Sequence, residues 1–198
     1  MGRRSVDGIF DIAWGEQILK FKWYCVGFTV LLMVVGAFSV QAHPVTPLPA
    51  RPQPVKLPPL PDGPAVISIK TPSGTKKMSL AEIEAIGLFR VSTTTFWPKD
   101  DGVYEGVLLS SLLKHVGLAD VKELTIWAVD GFSQNIPRED WIMWPILLAT
   151  RRDGKAMTRR QKGPTRIIYP RDLAPILKDD RYHLRWVWMI NEIEKTKN

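Results

Sequence analysis

Hydrophobic and polar positions divide the chain into three regimes. Residues 23–40 form an apolar run without a single charge. Residues 43–64 carry nine prolines, at 44, 47, 49, 52, 54, 58, 59, 61 and 64. From residue 65 onward the pattern changes to short alternating stretches separated by Gly, Pro and Asp, the signature of strands and turns. Residues 65–70 read as a strand and 71–75 as a turn. Ser79 and Glu82 fit a capping box that opens a helix running to about Ile86, with Gly87 as its stop. Residues 91–97, Val-Ser-Thr-Thr-Thr-Phe-Trp, alternate as a half-buried strand does and end at the turn 98–102.

Residues 103–106 are a short strand or bend. Leu108, Leu109, Leu112, Leu113 and Val116 mark one helix face ending at Gly117. Residues 124–129 are a strong strand, with Asp130-Gly131 as the turn and 132–136 as the return. A short helical turn is expected at 137–141, with proline first. Strands follow at 144–150 and 165–169, with a hairpin-type turn at Asp153-Gly154 between them. Residues 171–177 read as helical. Residues 184–194 read as one long strand with Trp186 and Trp188 on the same face. Many short strands with few helices indicate an α+β domain rather than a doubly wound sheet.

The first two regimes set the organisation and compartment. The 23–40 run, as a helix of about 27 Å, just spans a membrane core of roughly 30 Å. Lys20 and Lys22 precede it, and no Lys or Arg follows until Arg51. The expected topology is a cytoplasmic N-terminus with the remainder exported to the periplasm. Val40-Gln41-Ala42 also fits a signal-peptidase site, so a cleaved signal and an uncleaved inner-membrane anchor both stand. The expected divisions are 1–42 as stub and transmembrane or signal segment, 43–64 as a Pro-rich tether, and 65–198 as the folded domain. A proline tract of this kind favours polyproline II.

Composition narrows the chemistry. The only cysteine, Cys25, lies within the apolar run. The exported part therefore has no thiol, which excludes disulfides, a cysteine nucleophile, iron–sulfur ligation, a C-x-x-C-H haem site and cysteine-based zinc. The three histidines, 43, 115 and 183, show no paired metal-ligand spacing, and no Gly-x-Ser-x-Gly is present. No metal site is expected. The 27 Lys and Arg against 20 Asp and Glu give a net charge of +7. The densest basic stretch is Arg151, Arg152, Lys155, Arg159, Arg160, Lys162 and Arg166, bracketing Gly163-Pro164. It reads either as a phosphate or carboxylate site or as a solvated loop facing water or lipid headgroups. Nucleic acid is not expected as a partner of an exported domain. The threonines and tryptophan of 91–97 read either as a pocket floor or as ordinary strand and core residues.

The order of motifs resembles the oxidoreductase molybdopterin-binding domain, the sulfite-oxidase-like fold, in a short exported form. The matching pieces are Thr93-Thr-Thr-Phe-Trp97, Tyr104-Glu-Gly106, Leu112-Leu113, Ala128-Val-Asp130-Gly131 through Pro137, Leu148-Ala149, Asp153-Gly154, Gly163-Pro164-Thr-Arg166 through Pro170, and the Trp-containing terminal segment. Together they cover about residues 65–195. The resemblance implies a molybdopterin cofactor in a cleft touched by Thr93, Thr95, Trp97, Asp130, Gly131, Lys162, Gly163 and Arg166. In catalytic relatives a cysteine thiolate binds molybdenum, and the metal transfers an oxygen atom to or from sulfite or a sulfoxide. That cysteine position is Thr93 here, and a hard hydroxyl does not replace a soft thiolate. The relatives' lysine-rich, pterin-contacting segment corresponds to Arg171-Asp172-Leu-Ala-Pro175. Two expectations follow: a molybdopterin oxidoreductase without a protein thiolate, or a cofactor-free module that holds a small anion or a periplasmic protein partner in the same cleft.

Overall fold

The structure, a computed structural model, describes residues 50–197. The apolar run 23–40 and the proline-rich stretch before residue 50 lie outside the described residues. Among the described residues no helix is long and apolar enough to cross a membrane.

Two sheets share one core. The first joins β1 (Gln53–Pro54), β4 (Phe89–Thr93), β5 (Gly102–Leu108), β8 (Leu147–Arg152) and β10 (Arg166–Ile168) in that order, with β9 (Lys155–Ala156) hairpinned onto β8. The second runs β3 (Gly74–Met78), β2 (Ile67–Thr71), β11 (Ile190–Lys195), β6 (Glu123–Ala128), β7 (Ser133–Pro137). All pairings are antiparallel except β11 with β2. Val91, Val107, Leu148 and Ile167 of the first sheet join Ile69, Ile126 and Ile193 of the second in a single buried cluster. The helices α1 (Leu80–Glu84) and α2 (Leu109–His115) close it, α2 through Leu109, Leu112 and Leu113. Strand β8 sits between β5 and β10 and is buried from Leu147 to Arg151, so Leu147-Leu148-Ala149 is apolar without alternation and Thr150 and Arg151 need buried partners. Gly106 is required at the β5–β8 crossing. A Cβ there would lie 2.5 Å from Ala149 Cα and closer still to the Leu148 carbonyl oxygen. The architecture is α+β, as the pattern indicates.

The capping box forms as expected: Glu82 N–H donates to Ser79 Oγ at 3.2 Å, and Ser79 N–H to Glu82 Oε2 at 2.7 Å. The structure corrects several other expectations. The hairpin strand β3 takes in Gly74 and Thr75, expected in the 71–75 turn, and runs on to Met78; its Gly-Thr-Lys-Lys-Met pattern has almost no apolar face. Strand β4 ends at Thr93, not Trp97, since Asp101 and the Thr95 hydroxyl capture the backbone that would continue it. The stretch 184–194 is not one strand: a 3-10 turn occupies Asp180–Arg185, Met189 adopts φ +51°, and only Ile190–Lys195 is extended. The helical reading of 171–177 becomes two 3-10 turns, Arg171–Leu173 and Pro175–Lys178. The short helix α3 (Arg138–Met143) starts after Pro137, which is still in β7.

The proline-rich segment is not a free tether over its described part. Gln53 and Pro54 pair with Arg90 and Phe89, and Val55 N–H donates to the Leu88 carbonyl at 2.9 Å. Proline is tolerated on such an edge, where the non-proline residues supply the donors. Arg151 fastens the segment further, donating from Nη2 to the Pro58 carbonyl at 2.8 Å.

Candidate functional site

The turn after β4 aims Trp97. Thr95 N–H donates to Asp101 Oδ1 at 2.6 Å. The Thr95 hydroxyl accepts Trp97 N–H at 3.0 Å and donates to the Trp97 carbonyl at 2.7 Å. Thr95 is therefore a buried turn fastener, and its hydroxyl is consumed within the loop. A 3-10 turn, Pro98–Asp100, follows and directs the Asp100 carboxylate inward. Lys162 Nζ donates to Asp100 Oδ2, and Arg166 Nη1 lies 3.6 Å from the same oxygen.

Lys162 reaches that position through a left-handed backbone, φ +64°, at the end of the 3-10 turn Arg159–Gln161. Gly163 follows because a Cβ there would lie 2.5 Å from Met157 Cβ and closer still to Met157 O. The Lys162 ammonium sits 4.1 Å from the Trp97 ring centroid and 4.4 Å from that of Trp188. Both contacts are cation–π geometry.

Arg166 is fully buried. It spans from Asp100 to Tyr104, with Nη1 donating to the Tyr104 hydroxyl at 3.4 Å and the guanidinium 5.4 Å from the Tyr104 ring centroid. Among the described residues, its Nε and Nη2 have no partner. Burial works against the Arg166 charge, while Tyr104 and Asp100 favour it. Burial likewise raises Tyr104 above the ordinary phenol value, opposed by the Arg166 and Arg152 charges.

Beside Trp97 opens a cavity of about 330 Å³, walled by Phe132, His183, Trp186 and Trp188, with Asp130 the one charged group among the described residues that line it. The Asp130-Gly131 turn between β6 and β7 supplies one side. Asp130 Oδ1 accepts Phe132 N–H at 3.0 Å, and Gly131 takes φ +87°. The turn Asp180–Arg185 supplies the other side. It is anchored by Arg185 Nη1 and the Tyr169 hydroxyl, both donating to Asp140 Oδ2 at 2.7 Å.

Thr93 lies apart from this cavity. Its hydroxyl accepts Arg171 N–H at 2.9 Å and donates to the Thr94 carbonyl at 3.1 Å. Asp172 closes over the same place, accepting Thr94 N–H at 2.6 Å and the Thr94 hydroxyl at 2.7 Å. Arg171 Nη1 donates to Thr94 Oγ1 at 3.1 Å, and its guanidinium stacks on Phe96 at 4.7 Å.

Of the eight residues expected at one cleft, Trp97 and Asp130 line the cavity. Lys162 braces the Trp97 wall, Arg166 is buried behind Asp100, and Gly131 and Gly163 shape turns. Thr93 and Thr95 spend their hydroxyls on backbone partners. Missed were Asp100, which gathers Lys162 and Arg166, and Phe132 and His183 as walls. The signal available was aromatic density: two tryptophans and a histidine within residues 183–188.

The residues at position 93 do not fit a thiolate-bound metal. The described residues contain no cysteine, and among them no cluster of three His, Cys, Asp or Glu could hold a metal ion. Thr93 is buried, its hydroxyl is already hydrogen-bonded, and the Asp172 carboxylate lies 3.5 Å from it.

No curated protein matches the chain. Among solved structures, the sulfane dehydrogenase SoxCD from Paracoccus pantotrophus is similar at 15% identity and a TM-score of 0.48, over 79% of this chain and 54% of that one. This chain thus spans about half the length of that protein. Residues 86–194, from the end of the first helix to the terminal strand, match the oxidoreductase molybdopterin binding domain, and the chain belongs to that family.

Proposed function

We propose that this protein is an exported member of its family that has abandoned molybdenum chemistry and uses its aromatic cleft for binding. The observation that carries the reading is the Thr93 hydroxyl. It stands where catalytic relatives are expected to place the metal's thiolate, and it is held by Arg171 N–H with Asp172 packed alongside. A hydroxyl so engaged offers neither a soft donor nor an open coordination position. The lysine-rich segment of the relatives is replaced by the Arg171-Asp172 turn. That turn covers the threonines and places a negative charge beside them.

The two cations expected to hold an anion, Lys162 and Arg166, are both turned onto Asp100. The cleft is left with aromatic walls and the Asp130 carboxylate. This favours an organic ligand or partner side chain over a free anion. Export rests on the 23–40 apolar run and its flanking Lys20 and Lys22.

A second reading, a molybdopterin oxidoreductase without a protein thiolate, draws support from Arg166. Two of its buried nitrogens await an acceptor, as an anionic cofactor would supply. Elemental analysis of full-length protein purified from a host that makes the molybdenum cofactor separates the two. Absence of molybdenum supports the binding module, and stoichiometric molybdenum overturns it.

A further inference from the structure

The binding reading does not name a ligand, but the cavity beside Trp97 has a chemistry of its own. Its walls are Trp97, Phe132, His183, Trp186 and Trp188. Trp97 does not lie parallel to its neighbours. Trp97 meets Trp188 at 80°, with centroids 4.9 Å apart, and meets Trp186 at 70° and His183 at 51°. A flat heterocycle needs two parallel faces to stack between. Walls that meet steeply form a corner instead, which suits a compact, rounded group touching several ring faces at once.

Charge points the same way. Among the described residues, Asp130 is the only charged one lining the cavity, and it forms no ion pair with them. One of its oxygens accepts Phe132 N–H, which fixes the carboxylate at the rim. The protein's own Lys162 shows that these tryptophans take a cation, because its ammonium rests on both Trp97 and Trp188. Lys162 does not line the cavity, and Asp100 neutralises it.

We infer that this cavity is a binding site for a small organic cation of the quaternary-ammonium class, with its methyl groups against the tryptophans and its charge facing Asp130. The site rests on the reading of the cleft as a binding module. A volume of about 330 Å³ admits such a head group with room for a substituent. Phe132 and Leu184, both substantially exposed, form an apolar lip through which a longer substituent would leave.

The test is a tryptophan-fluorescence titration of the full-length protein with choline and with its neutral isostere, 3,3-dimethylbutan-1-ol. Saturable quenching by choline is expected, with the neutral isostere weaker by about tenfold, the value of a desolvated cation–π contact. Asp130→Asn, at an exposed turn, is expected to weaken choline severalfold and leave the isostere unchanged. Phe132→Ala is expected to weaken both. Equal binding of the two probes, or no saturable choline binding, overturns the cation site. If choline fails while molybdenum is absent, the ligand class falls and the binding-module reading stands. If molybdenum is present, the module reading itself falls.

Discussion

The Asp172 carboxylate grips Thr94 with both oxygens, one on its N–H at 2.6 Å and one on its hydroxyl at 2.7 Å. Residues 78 positions apart are thereby locked together, at the place the proposed function assigns to a lost metal. Burial pushes the Asp172 acid upward, but the hydrogen bonds from Thr94 and the charges of Lys178 and Arg171 hold it below the ordinary carboxylate value. A depressed folded-state value stabilises fully above the unfolded value, about 3.9. That stabilisation is lost as pH falls through the lower folded value. Asp172→Asn is therefore expected to reduce the acid sensitivity of unfolding below about pH 4. At pH 7, Asp172→Ala is expected to cost about 1–3 kcal/mol. Urea unfolding at pH 3 and pH 7 checks both.

Glu84 and Arg151 form a buried pair, with side chains 5% and 4% exposed. Arg151 Nε donates to Glu84 Oε1 at 2.9 Å, and the Thr150 hydroxyl donates to the same oxygen at 2.6 Å. Removing one partner strands the other charge in the core. Glu84→Ala is expected to cost about 3–5 kcal/mol in chemical unfolding. A loss under about 1 kcal/mol would contradict the pairing.

Gly106→Ala forces a Cβ against the backbone of Leu148 and Ala149, so β5 and β8 must separate. Backbone cannot swing aside as a side chain does. The expected cost is about 2–3 kcal/mol or more, read as a lower unfolding midpoint.

Arg166 behaves differently from Arg151. Its best carboxylate contact is 3.6 Å, and two of its nitrogens are unpaired. Lys162 keeps Asp100 satisfied when Arg166 is gone. Arg166→Met is expected to be neutral or stabilising in thermal unfolding, as apolar replacement of a poorly paired buried charge often is. A loss above about 2 kcal/mol would show that the guanidinium is better paired than the geometry indicates.

Much of the architecture was legible because it depends on local chemistry. The Ser79–Glu82 box, the Asp130-Gly131 turn and the apolar face of α2 each follow from a few adjacent residues. Strand β3 was not legible, since its polar residues are held by pairing with β2 rather than by burial. The tryptophans at 186 and 188 looked like one strand face, but Met189 turns the backbone and sends them to a pocket wall instead. Of the site, Trp97 and Asp130 were legible from the motifs. Asp100 and Asp172 were not: each matters through partners 62 to 79 residues away, which no spacing rule reveals. Lys162 and Arg166 both meet Asp100, and nothing local in their sequence signals that a single aspartate would engage both.

On the proposed function, position 93 no longer receives a metal. The most direct measurement is the molybdenum and pterin content of the full-length protein purified from a host that oversupplies the cofactor. Neither is expected above trace level. About one molybdenum per chain would contradict the account.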